Sequence, residues 1–190
     1  MMPYISAEWR KTKKIQLLLV GALFLTLTSF IGLTTYFMYH ATFVPGTESR
    51  VLWGQLTFYY SYLLYPPLLA IWVGLSLLPE FERGTIELLR ANHISIPRLL
   101  FGKMVILLTL LLPLQSLLVL VYLIVAGLQG ELDQLSILHL IKWSLLSILT
   151  SLPILLIQSY LMARTRNIIQ SVALGTFGSI GNFIVIFIGG

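Results

Sequence analysis

The sequence predicts an all-α fold, a polytopic helical bundle embedded in a membrane, and three observations carry that prediction. Hydrophobic residues make up 57% of the 190-residue chain and charged residues 10%, with a mean hydropathy of +0.91. An ordinary soluble domain carries about 25% charged residues and needs them to cover its surface. Five stretches are long and apolar enough to cross a bilayer, which takes about 20 residues per helix. None of them alternates as a membrane β-strand must. The composition argues against a soluble enzyme and against a disordered chain. The chain has no cysteine, so disulfides, thiolate catalysis and cysteine metal ligands are excluded.

The predicted spans are 15–39, 53–79, 104–128, 136–162 and 168–189, within a single domain covering 1–190. Four of the five contain no Asp, Glu, Lys or Arg; the fourth contains Lys142 near its start, where a long side chain can reach the headgroups. A charge at mid-span costs about 2.5–3.5 kcal/mol, so uncharged windows of this length read as spans. Ten of the twelve basic residues fall on one side of this layout: Arg10, Lys11, Lys13 and Lys14, then Arg83, Arg90, Arg98 and Lys103, then Arg164 and Arg166. Only Arg50 and Lys142 fall on the other. The positive-inside rule therefore places the amino terminus in the cytoplasm. The first apolar run is too long for a secretory signal and no A-x-A site follows it, so it is expected to be retained.

The segment 1–14 reads as an amphipathic helix on the inner membrane surface, capped by Ser6 with Glu8 in its first turn. A plain charge cluster that sets topology is the alternative. Tyr36, Phe37, Tyr39, Trp53, Phe58 and Tyr59 gather at the outer ends of the first two spans, where they are expected mainly as an anchoring belt rather than a substrate cage.

The inner loop 80–103 concentrates 7 of the 19 charged residues in 24 positions, far more chain than a hairpin between two helices needs. Gly84 breaks the helix leaving the membrane, and Thr85 caps a short helix from Ile86 to about Asn92. Ile86 and Leu89 form an apolar stripe, and Glu87 and Arg90 can pair on the wet face. Ser95 and Pro97 open the returning helix, which brings Arg98 and Lys103 to the inner headgroups. A short amphipathic helix of this kind suits docking into a groove of a cytosolic partner; the alternative is a helix resting on lipid headgroups.

The run Glu-x-Glu-Arg-Gly-Thr from Glu80 to Thr85, the short helix, Ile-Ser-Ile-Pro-Arg ending at Arg98 and the Gly102-Lys103 pair resemble the membrane subunit of type-2 ABC exporters. The opening Ser-Ala-Glu-Trp-Arg-Lys-Thr-Lys-Lys from Ser6 is similar to the start of those subunits. Among small permeases of this layout are the lantibiotic-immunity and bacitracin-resistance exporters. The resemblance implies that 80–103 is a coupling loop seated in a cytosolic ABC ATPase. Glu80 and Glu82 would form the acidic pair at the exit of the second span, and Gly84 and Thr85 would start the coupling helix. Leu88, Leu89 and Arg90 would touch the ATPase, and Pro97 and Arg98 would begin the return. The short second loop, 163–167, would contact it less. The resemblance also implies a second permease chain, a bacterial plasma membrane as the setting, and ATP with Mg on the partner subunit. The family usually has six spans; this chain ends just past a fifth, which is expected of a shortened product, of a fragment or of an ending that differs from the family's.

Other motifs narrow the function. There is no G-x-x-x-x-G-K-[ST] phosphate loop, so ATP is not expected to bind this chain, and no H-E-x-x-H zinc motif. His40 and His139 are placed at the outer face and His93 in the inner loop, away from the Ser and Thr of the spans, so an intramembrane hydrolase is disfavoured. No carboxylate lies within a span, as an ion-coupled carrier would require. The spans instead offer Tyr59, Tyr62 and Tyr65, three apart, with Gln115 and Gln158, a neutral lining suited to an amphipathic peptide, lipid or drug. Hydrogen bonding between helices is the competing role for the glutamines. Pro66-Pro67 is expected to kink the second span, and Pro113 and Pro153 to bend the third and fourth, as hinges or as fixed bends. Gly175, Gly178 and Gly181, and the pair Ala70 and Gly74, allow close helix approach within the chain or across a dimer seam. The combined expectation is the permease half of an exporter conferring peptide immunity. The competing expectation is a membrane scaffold that recruits a cytosolic protein without transporting, and nucleic acid is not expected as a partner.

Overall fold

The computed structural model describes the backbone of residues 2–82, 96–132 and 135–188, without the side chains of 2–5, 82, 182, 183, 186 and 187. The described chain is a helical bundle with no strand. Its elements are α1 (Met2–Lys11), α2 (Lys14–Tyr39), α3 (Glu48–Tyr59), a π-helical segment (Tyr60–Leu64), α4 (Tyr65–Glu82), α5 (Ile96–Gln129), α6 (Ile137–Thr165) and α7 (Ile168–Ile188). Four helical stretches are long and apolar enough to cross a membrane: Lys14–Thr42, Glu48–Phe81, Ile96–Gln129 and Ile137–Thr165. The fifth, α7, is apolar through Ile168–Gly181 and runs on to Ile188. Four of the five expected spans are thus long apolar helices, and the fifth is matched by a shorter apolar one.

The boundaries differ from the expected ones where helix continues beyond the uncharged window. The second stretch begins at Glu48 rather than 53, because Glu48 stands in its first turn and favours the positive end of the helix dipole. The third begins at Ile96, with Pro97 in the first turn where its missing N–H costs nothing. At 34 residues, or about 51 Å at ~1.5 Å per residue, α5 is longer than a hydrocarbon core of about 30 Å and must emerge from it.

Near its centre the bundle is organised around α4, which packs most extensively on α7 and α6 and also meets α2 and α5. Leu68, Leu69, Ala70, Trp72 and Val73 are buried on all sides. Close approach depends on small residues. A Cβ at Gly21 of α2 would lie 2.8 Å from the Trp72 ring, and one at Gly74 would lie 2.4 Å from Ile168 of α7. Gly175 of α7 faces Ala70 and Gln158, so Ala70, Gly74 and Gly175 serve packing within the chain. A Cβ at Gly178 or Gly181 would meet nothing within 4 Å. The outward faces are apolar: Ile15, Leu19, Leu23 and Leu27 follow one another at four-residue spacing along α2, and Leu138, Ile141, Leu145 and Leu149 are exposed on α6. Such stripes are unfavourable against water and match a lipid environment.

The prolines of the second span produce a π turn. Pro66 and Pro67 supply no N–H to the carbonyls of Tyr62 and Leu63, and their rings would crowd them. The helix widens just ahead of them, over Tyr60–Leu64, with the Tyr65 N–H donating to the carbonyl of Tyr60 five residues back. Pro113 and Pro153 lie inside continuous α5 and α6.

Two expectations for side chains at the ends of the helices are corrected. Ser6 does not cap the first helix, which already begins at Met2. The aromatic belt divides: Phe37 and Tyr39 are exposed, whereas Tyr36 and Trp53 are buried. Tyr36 donates to Gln129 Oε1 at 2.8 Å and to Glu131 Oε2 at 3.2 Å. Trp53 stacks on Trp143 with ring centroids 6.0 Å apart and meets the edge of Tyr122. The Tyr36 hydroxyl thus finds its partners inside the bundle, and Trp53 is held there by ring contacts.

Candidate functional site

The end of the bundle that carries the amino terminus gathers the buried charges. Lys103, in the second turn of α5, places its ammonium 2.9 Å from Glu8 Oε2 of α1 and 3.1 Å from Glu80 Oε1 of α4. All three side chains are nearly sealed from solvent, with 6%, 2% and 9% exposure respectively. Buried charges persist only when paired, and one ammonium between two carboxylates satisfies that condition. Lys11, on the exposed side of α1, adds a longer contact of 3.4 Å to Glu8. Lys14 donates to the carbonyl of Trp9 at 3.0 Å and lies over its ring, fixing the turn from α1 into α2.

This cluster ties α1 to α4 and α5, the helices that flank residues 83–95. The turn between α6 and α7 reaches the same end. Arg166 takes a left-handed conformation (φ 51) and its N–H donates to Met162, ending α6. Asn167 then caps α7 by accepting from the N–H of Ile169 at 2.9 Å. The Arg166 guanidinium lies 6.0 Å from the Phe81 ring at the end of α4.

Of the residues expected to couple to a partner, Glu80 is therefore found inside the bundle, not on a docking face. Glu82 closes α4, and its side chain is outside the description. Gly84, Thr85, Leu88, Leu89 and Arg90 lie outside the described residues, as does Ser95. Pro97 and Arg98 are exposed in the first turn of α5. Glu8 and Lys103 were legible in the sequence only as one acid in a first turn and one base near the headgroups. Their pairing joins residues 95 positions apart, and no local pattern encodes it.

A second feature lies farther along the bundle: a cavity of about 210 Å³ between the π segment, α3, α5 and α6. Trp53, Tyr60, Ser61, Gln115, Trp143 and Ser147 are among the residues that line it. Gln115 donates from Nε2 to Ser147 Oγ at 2.9 Å. The hydroxyls of Tyr60 and Ser144, which also border it, are buried without a hydrogen-bond partner. Unsatisfied buried polar atoms are uncommon in native proteins and mark places where something else supplies the partner.

The expected path of Tyr59, Tyr62, Tyr65, Gln115 and Gln158 is only partly assembled. Gln115 lines the cavity. Tyr65 is buried beside Gln115, Ser147 and Ser151, with its hydroxyl aligned to none of them. Tyr59 turns toward α2, its hydroxyl 3.4 Å from that of Thr35, and Tyr62 is 39% exposed. Gln158 accepts from Ser171 Oγ at 2.9 Å and packs against Gly175, joining α6 to α7. The π turn accounts for the change. Residues three apart share a face on an α-helix, but the extra residue per turn shifts that face. Tyr60 and Tyr65 come together instead, ring centroids 5.0 Å apart. Pro66-Pro67 was the available signal that the three-residue period fails there.

The described residues form a helical bundle with four stretches long and apolar enough to cross a membrane and a charged, internally braced end. The sequence profile described as ABC-2 family transporter protein matches residues 4–182, and the chain belongs to that family. Searches of curated proteins and of solved structures each returned no match. Family membership makes the chain a transmembrane ABC transporter subunit, whose ATPase is typically a separate polypeptide.

Proposed function

We propose that this chain is the permease half of an ATP-driven exporter that moves an amphipathic substrate, such as an antimicrobial peptide, lipid or drug, out of the membrane. The basic end faces the cytoplasm in a bacterial plasma membrane, and a second permease chain, identical or related, completes the pathway. The loop 80–103 docks in the ATPase, with Leu88, Leu89 and Arg90 at the contact. ATP and Mg are held by that partner, and closure of the ATPase pair pushes on the loop. The observation that best supports the reading is the buried Glu8–Lys103–Glu80 cluster, which fastens both roots of the loop and α1 into one unit. A force on the loop is then passed to α4 and α5 instead of being absorbed at their ends. The neutral aromatic and hydroxyl lining around Tyr60 and Gln115 suits a substrate with apolar and hydrogen-bonding faces.

The test is the charge-reversed pair Glu82→Arg and Arg90→Glu, expressed with the ATPase and reconstituted. ATP hydrolysis should persist while export of the peptide or drug falls at least tenfold, and the protein should stay in the membrane. Undiminished export would remove the loop from the mechanism. Failure of the wild-type chain to co-purify with any ATPase would favour a scaffold role.

A further inference from the structure

The bundle's charged end holds a cavity of about 510 Å³ that the ion-pair cluster does not fill. Its volume falls within the range of about 300–1,000 Å³ usual for small-ligand sites. Lys11, Lys13 and Lys103 line it with Glu80, and Leu17, Leu75, Leu78 and Pro79 form its apolar walls. We infer that this cavity binds a phosphate-ester anion, the headgroup of an acidic phospholipid, with the start of its chains against the leucines.

Three features lead there. The first is charge. Lys11, Lys13 and Lys103 face two carboxylates, Glu80 in the wall and Glu8 behind Lys103, which leaves one positive charge for a single phosphodiester to balance. Lys13 has no ion-pair partner among the described residues, is exposed and lines the cavity. The second is an orphan donor: Ser76 lines the cavity, is only 8% exposed, and its hydroxyl has no hydrogen-bond partner. A phosphate oxygen supplies the missing acceptor. The third is position. Lys103 stands 26 residues before the far end of α5 at Gln129, about 39 Å along the axis, which sets the cavity at headgroup depth. The inference needs only that depth, in whichever leaflet, and does not rest on export.

The experiment measures thermal stabilisation of the detergent-purified chain and its binding to vesicles. The probes are phosphatidylcholine vesicles with and without phosphatidylglycerol and, separately, inorganic phosphate. The expected result is stabilisation by phosphatidylglycerol but not by phosphatidylcholine alone. Ser76→Ala should weaken that effect about fivefold, the loss of one hydrogen bond, with little change in the lipid-free protein. Lys11→Ala/Lys13→Ala should weaken it more than Arg10→Ala/Arg164→Ala, which removes two exposed charges away from the cavity. An equal response to inorganic phosphate would assign the site to a soluble phosphate ester. Equal loss in both double variants together with an unaffected Ser76→Ala would overturn the proposal in favour of diffuse surface attraction. So would a lack of response to either probe.

Discussion

Replacing Lys103 with methionine tests whether the charged end is held by a buried electrostatic lock. Methionine keeps an unbranched stem and removes the ammonium that sits 2.9 Å from Glu8 and 3.1 Å from Glu80. Glu8 then keeps only Lys11, whose side chain is 57% exposed, a contact that solvent screens. Glu80 keeps no ion pair among the described residues. Removing one partner of a buried pair costs about 3–5 kcal/mol. The expected loss at pH 7 is therefore about 3–5 kcal/mol, or on the order of 10 °C in melting temperature. The triple variant Glu8→Gln/Glu80→Gln/Lys103→Met carries no charge at the site and should recover most of the loss at pH 7. The assay is tryptophan-fluorescence melting of the purified protein at pH 7. A single variant that melts with the wild type at pH 7, or a triple variant as unstable as the single one, would refute the lock.

Two further substitutions probe how the bundle is built. Gly32→Ala should destabilise by about 1–3 kcal/mol, because its Cβ would lie 2.9 Å from the backbone carbonyl oxygen of Gln55, which cannot swing aside. Gly178→Ala, in open space, should leave the melting temperature within a degree or two. Tyr36→Phe deletes the hydrogen bonds to Gln129 and Glu131 and should cost about 1–3 kcal/mol in the same assay. A neutral result would show that those acceptors are satisfied by water.

The sequence carried the architecture because lipid imposes a coarse rule. Uncharged runs such as 15–39 and 104–128 have few ways to satisfy their backbone other than as helices, and the described residues of all five runs are almost wholly helical. Features that depend on two distant parts of the chain were not legible. Trp53 looks like an interfacial anchor from its neighbours, yet it is buried and stacks on Trp143 across α3 and α6. The tyrosine ladder failed for a local reason: Pro66-Pro67 signalled a distortion, but whether the helix would bend or widen depended on packing around α4. Gln158 shows the opposite outcome. Its competing role, a hydrogen bond between helices, is the one observed.

The two features join in one element. From Glu80 to Tyr60 the chain is helical without interruption, and the twenty residue-to-residue steps span about 30 Å. α4 is buried between α7, α6, α2 and α5, so it moves as a packed rod and not by bending freely. A displacement of the proposed coupling loop enters this rod at Glu80 and meets the π turn at its other end. A π turn is a place where the backbone has spent its hydrogen-bond regularity and can change register at low cost. Tyr60 and Ser61, its first two residues, line the upper cavity. In the proposed mechanism the prolines therefore set the point at which motion of a rigid helix becomes a change in the shape of the substrate path. Replacing both Pro66 and Pro67 with alanine restores two N–H donors and permits a regular α-helix. That variant should be at least as stable as the wild type on melting and should export less, while ATP hydrolysis by the partner continues. Full export by a stable double-alanine variant would separate the π turn from transport.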